Sequence, residues 1–206
     1  MADYSIIADI SNYMCKMFRD KMCPEPIPSA GNIQVSSPSS QDVDYLLGVY
    51  LYDIKECSDV NRPDFMRHGR VQLAKPPKPY TLEYMVFVNG ATQMGLEAPD
   101  IQKIVGRVAQ IVNDNESILP STLQPWLDSP EPPIVFSQSK ISLEEKVRVW
   151  SAINKPYQVS LFYRVAPVFL SSEIMIDTPV VTDATFTLET TQERREAALK
   201  NGRNKT

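Results

Sequence analysis

Apolar side chains recur along this chain in two periods, three-to-four residues and two, and the switches between them delimit its elements. In residues 5–21, Ile6, Ile7, Ile10, Tyr13, Met14, Met17 and Phe18 fall at helical spacing and predict an amphipathic helix. Pro24, Pro26 and Pro28 stop it and predict an extended link, then a short strand at 32–36 and a polar loop to 44. Residues 45–55 carry Leu47, Val49 and Leu51 on one face and Tyr50, Tyr52 and Ile54 on the other, the pattern of a strand in the middle of a sheet. Residues 56–79 read as a long polar connection stiffened by Pro63, Pro76, Pro77 and Pro79. Tyr80, Leu82, Tyr84, Val86 and Val88 resume the sheet, which Asn89-Gly90 ends.

Ile101, Ile104, Val105, Val108, Ile111 and Val112 define a second long helix over 100–113. The stretch 118–126, broken by Pro120 and Pro125, predicts one short turn packing Leu119, Leu123 and Trp126, and 130–138 a short strand around Ile134, Val135 and Phe136. The strongest local signal lies at 142–170. Ser142 and Glu145 have capping-box spacing, in which the hydroxyl accepts from the Glu145 N–H and the carboxylate accepts from the Ser142 N–H. Leu143, Val147, Trp150 and Ile153 then mark a buried helix stripe, which Pro156 ends. Val159, Leu161, Tyr163 and Val165 alternate with Gln158, Ser160, Phe162 and Arg164 in the longest regular strand. β-type sequence resumes over 173–189, interrupted at Pro179.

The order of helix, strands, helix, strand, helix, strands lacks strict βαβ alternation. It predicts an α+β fold, a mostly antiparallel sheet with two long helices on one face. A single domain is expected over 1–189, with a long basic loop at 56–79 and a charged C-terminal tail at 190–206. Seventeen prolines against seven glycines imply stiff, extended connections in place of tight turns.

A formal net charge of −4 argues against general nucleic-acid binding, which needs a basic footprint. No apolar run is long enough for a membrane span and the N-terminus has no secretory pattern, so synthesis and folding in the cytoplasm are expected. Cys15, Cys23 and Cys57 have no metal-ligand or CxxC spacing and read as reduced thiols. No nucleotide-, zinc- or nucleophile-elbow motif occurs, and no catalytic, cofactor or metal site is expected. Asp53, Glu56 and His68 are the only constellation an enzyme reading could use, and no partner is evident in the sequence to orient them. The contrast to the acidic whole is the cluster Arg62, Arg67, His68, Arg70, Lys75 and Lys78, which reads as an arm for an acidic protein partner or as a solvated loop. Together with Arg194, Arg195, Lys200, Arg203 and Lys205 it would also serve a nucleic-acid adaptor.

The stretches MADYSIIADISNYM, LLGVYLYDIKE, PYTLEYMVFV, IQKIVGRVAQIVNDN and SLEEKVRVWSAINKPYQVSLFYRVAPVFL, in that order, resemble the cap or tail-terminator family of phage-tail-like contractile injection systems of the antifeeding-prophage type. The resemblance runs from about residue 2 to 181. It implies a non-enzymatic protein that forms a ring, expected to be hexameric, at the baseplate-distal end of the particle. There it would end tube and sheath polymerisation and hold the last sheath ring. The implied partners are further copies of the chain, the sheath protein and the inner tube protein. By the same resemblance the basic loop and the C-terminal extension, with Arg194 and Arg195, would make the subunit, tube or sheath contacts. An inner baseplate or tube-associated component of the same particle is the alternative, and the finished particle would be open to extracellular release.

Overall fold

The computed structural model describes residues 2–40, 45–57, 66–68, 72–90, 95–127 and 131–177. Its helices are α1 (Ile6–Met22), α2 (Ala98–Asp114), the single turn α3 (Pro120–Leu123) and α4 (Leu143–Ala152). Its strands are β1 (Ile33–Val35), β2 (Leu47–Glu56), β3 (Met66–His68), β4 (Gln72–Ala74), β5 (Lys78–Val88), β6 (Ser117–Ile118), β7 (Ile134–Gln138), β8 (Ser160–Leu170) and β9 (Met175–Asp177). Six strands pair in the order β1-β2-β5-β8-β7-β6, and β3-β4-β9 form a second, smaller sheet. Every pairing is antiparallel except that of β1 with β2. The fold is therefore mixed α+β.

One face of the large sheet carries α1 and α2. Ile6, Ile10, Met14 and Phe18 of α1 and Ile104, Val108 and Ile111 of α2 are buried together with Val49, Leu82, Tyr84, Val86, Tyr163 and Val165 of the sheet. These are the alternate residues of each strand, so the period-two and period-3.6 patterns meet in one core. The Arg19 guanidinium ties β1 to α1 by donating to the carbonyl of Ile33, 2.5 Å from Nη2 and 3.1 Å from Nε. The opposite face carries α4. Trp150 is buried there with Tyr45, Met85, Phe87 and Phe162. Its ring meets that of Phe87 edge-on, with centroids 5.7 Å apart, and its indole N–H donates to Ser160 Oγ at 3.0 Å.

Several sequence expectations are corrected. Residues 56–79 are not one continuous loop: they contain β3 and β4, which pair with each other, β4 also pairing with β9 more than 100 residues away, and their last residues already belong to β5. β2 is not central along its length, because β1 pairs only with Leu47, Gly48 and Val49. α4 ends at Ala152, with Asn154 in the left-handed region at φ 59°, so the helix is finished before Pro156 acts. Of its predicted stripe only Trp150 is buried; Leu143 is 63% exposed and Val147 39%. Contact with the sheet is made by the last turn, through Trp150, Val149 and Ile153. Leu119 and Trp126 are exposed rather than packed, while Leu127 is buried in their place. The β-type sequence of 178–189 and the tail 190–206 lie outside the described residues.

Candidate assembly surfaces

The basic cluster is divided by the fold. Arg67 and His68 lie on β3, at register positions opposite Leu73 and Gln72. Lys75 is exposed just beyond β4, and its backbone N–H donates to the carbonyl of Ile174 at 3.1 Å. Lys78 opens β5 and is committed: its ammonium lies 3.0 Å from Glu56 Oε1, and that bond raises the Lys78 pKa above its ordinary value. Lys75 and Lys78 line one cleft of about 270 Å³ with Pro76, Tyr80, Leu170, Ser171 and Ser172. Arg62, Arg70, Arg194 and Arg195 lie outside the described residues.

The two carboxylates an enzyme reading would use, Asp53 and Glu56, and the acidic residues at the start of α4 are engaged separately. Asp53 Oδ2 sits 3.1 Å from Lys55 Nζ while Oδ1 accepts from the Ile54 N–H at 2.9 Å, and Glu56 holds Lys78. Glu145 completes the capping box with Ser142, and Glu144 pairs with Arg148 one turn on at 2.6 Å. Among the described residues no group of three or more His, Cys, Asp or Glu could hold a metal ion, and no helix is long and apolar enough to cross a membrane. Burial pushes the Cys15 thiol up to about 11, so it stays protonated at neutral pH.

Two polar arrangements escaped the sequence reading. Gln124, with no exposed surface, shares the two hydrogens of Nε2 among Asp3 Oδ1, Ser5 Oγ and Asp9 Oδ2 at 2.9 to 3.1 Å and accepts from the Asp3 N–H at 3.2 Å. It fastens the entry of α1 to α3. Glu83, 3% exposed, faces Arg164 across β5 and β8 at 3.2 Å and accepts from Ser139 Oγ at 3.0 Å. A glutamine between Leu123 and Pro125 carries no motif, whereas a charge in the middle of an apolar strand is a signal that a cross-strand partner exists.

The described surface also carries two exposed aromatic side chains and an apolar-walled groove. Tyr4 is 87% exposed and Trp126 61%, and both flank the residues fixed by Gln124. A groove of about 420 Å³ runs between the last turn of α4 and β2, lined by Tyr50, Tyr52, Val149, Ala152, Ile153, Ser37 and Ser39.

A family model described as the Pvc16 N-terminal domain matches residues 9–183. Among solved structures the fold is similar to the sheath/tube terminator of the extracellular contractile injection system PVC in its extended state. That match has a TM-score of 0.61 and 20% identity, over 98% of this chain and 71% of that one. It is also similar to the tube-terminating cap of the anti-feeding prophage, with a TM-score of 0.58 and 18% identity over 95% of this chain and 68% of that one. No curated protein sequence matches the chain. At these identities the likeness is one of fold.

Proposed function

The chain belongs to the Pvc16 N-terminal domain family, and from that membership we propose that it is the cap of a contractile phage-tail-like injection particle, a non-enzymatic protein that ends tube and sheath polymerisation at the baseplate-distal end. The observation that carries this reading is a family match over residues 9–183 joined to a fold similar, over nearly all of this chain and 71% and 68% of theirs, to two terminators. The active form is a closed ring of identical subunits, hexameric, with one surface complementary to the growing end and the other offering nothing to a further ring. The working unit is one domain over 1–189 followed by a charged tail. Its partners are the sheath protein, the inner tube protein and other copies of itself. It assembles in the cytoplasm and leaves the cell only with the particle.

The basic segment supplies the contact to acidic sheath or tube surfaces, through Arg62, Arg67, His68, Arg70 and Lys75, with Arg194 and Arg195 in the tail; Lys78 is the member already neutralised by Glu56. Imaging of the purified protein by negative stain, alone and with tube and sheath fragments, together with its native mass, tests the reading. Closed rings, or density on one end only of each fragment, are expected. Density at the baseplate end would make it an inner baseplate component, and bare ends throughout would end the cap reading. Arg67→Glu with Arg70→Glu is expected to weaken end binding while leaving the melting temperature within a degree or two; unchanged end binding would remove the basic segment from the interface.

A further inference from the structure

β1 covers β2 only as far as Val49, where the Ser36 N–H donates to the Val49 carbonyl at 3.1 Å. From Tyr50 to Glu56 no strand among the described residues lies on the outer side of β2. An uncovered run of that length on a twisted sheet is an open template, because its outward N–H and C=O groups can take up any extended segment. The ladder fixes which groups those are. The Cys57 N–H donates to the Pro79 carbonyl at 2.9 Å, so by the alternation of an antiparallel pair Cys57, Lys55 and Asp53 turn their backbone toward β5 while Ile54 and Glu56 turn theirs outward.

The outward N–H of Ile54 is not free. It donates to Oδ1 of Asp53, its own neighbour, at 2.9 Å, and the other oxygen of that carboxylate is held by Lys55 Nζ at 3.1 Å. The register slips by one residue between Leu51 and Asp53, so the strand is bulged at Tyr52, immediately before the residue that holds the Ile54 N–H. Ile54 is itself 45% exposed, a β-branched side chain on a bare edge that would otherwise favour recruitment of a strand.

We propose that Asp53 is an edge lock. Its carboxylate occupies the donor through which β2 would recruit a further strand, Lys55 positions it, and the bulge at Tyr52 breaks the straight edge that a long incoming strand would need. The lock acts on strand addition from a second copy or from any extended chain. It holds whatever particle the protein belongs to.

The test compares Asp53→Leu, Asp53→Asn and the parent chain by light-scattering mass after size exclusion and by the hydrogen-exchange rate of the Ile54 amide. Asparagine keeps an acceptor oxygen and is expected to behave as the parent. Leucine removes the acceptor and raises strand propensity, so the Ile54 amide is expected to exchange roughly five- to tenfold faster in dilute samples, the loss of one hydrogen bond. It is also expected to drive concentration-dependent growth to species heavier than the parent's. Asp53→Ala is read by exchange alone, so that a solubility defect of the leucine variant does not decide the matter. An Ile54 amide that exchanges at the parental rate in both leucine and alanine variants, with an unchanged mass distribution, overturns the proposal.

Discussion

Gly48 shows how one missing side chain can decide the packing of a face. It sits directly across the ladder from Phe87, whose ring crosses over it to reach Tyr45 and Trp150. A Cβ at Gly48 would come within 2.5 Å of Phe87 Cε1 and 3.0 Å of Tyr45 Cε2, both rings being essentially unexposed. The clash cannot be relieved without turning Phe87 away from Trp150. Gly48→Ala is therefore expected to cost about 1–3 kcal/mol in urea unfolding, the range for overpacking a filled core, with a shift in Trp150 fluorescence. Gln124 makes the opposite point, since its replacement removes bonds and adds no bulk. Gln124→Leu leaves the Asp3 N–H and the Asp9 carboxylate short of a partner in a part-buried site, and about 1–3 kcal/mol is expected to be lost. Proteolysis at the N-terminal end of α1 should rise with it, because the residues before α1 are fastened there by Gln124 and by the Ser171 N–H on the Ala2 carbonyl.

Local elements could be read from the sequence where a short-range rule governs them. The capping box at Ser142 and Glu145 is present with both bonds, 3.2 and 2.7 Å, because it needs only residues three apart. The stripes of α1 and α2 were legible for the same reason, each helix being long enough for its period to outweigh local accidents. Three features were not. β3 and β4 are three-residue strands that pair with each other, and the third strand of their sheet, β9, joins β4 from more than 100 residues later, so little in the local sequence distinguishes them from loop. The end of α4 is set by a left-handed Asn154, which competes with the more visible Pro156. Trp126 and Leu119 look like core by type and are exposed by position. Of the basic candidate residues, sequence could not reveal that Lys78 would be paired across the β2–β5 ladder. At α4 the capping box also predicts a pH response. Backbone bonding from Ser142, then its hydroxyl, holds the Glu145 carboxyl below its ordinary 4.5. A lowered acid contributes stability above its unfolded pKa and loses it as pH falls through the folded value. In a Trp126→Phe background, Trp150 fluorescence should report loosening of α4 below pH 4.5, and Ser142→Ala, expected to cost about 1 kcal/mol, should weaken that acid response.

The whole molecule is stapled through tyrosines on both faces of one sheet, and this sets its behaviour in base. Tyr84 is buried against α1, where its hydroxyl shares a 2.8 Å hydrogen bond with Ser11 Oγ, and burial pushes its pKa up to about 12. Tyr163, on the same helix-covered face, is pushed up to about 12 by burial alone. Tyr52 packs on the opposite face, its ring 5.5 Å from that of Phe162, and burial followed by the charges of Glu83 and Asp53 raises it to about 12. For each group the folded state prefers the protonated phenol, while the unfolded chain ionises near 10. The stabilisation is complete below pH 10, falls from there upward, and is gone once pH exceeds the folded value. From Tyr84 alone the loss by pH 12 is on the order of 2 kcal/mol. The three phenols lie on three neighbouring strands of one sheet, two on one face and one on the other, so cooperative unfolding of that sheet in base exposes all three. Circular dichroism and tyrosinate absorbance should therefore change in one step between about pH 10 and 12. Tyr84→Phe should move that step to higher pH, since phenylalanine has no proton to lose, at the expense of the Ser11 bond at neutral pH. Two separated transitions, or ionisation of buried tyrosines before any loss of structure, would show that the faces unfold independently.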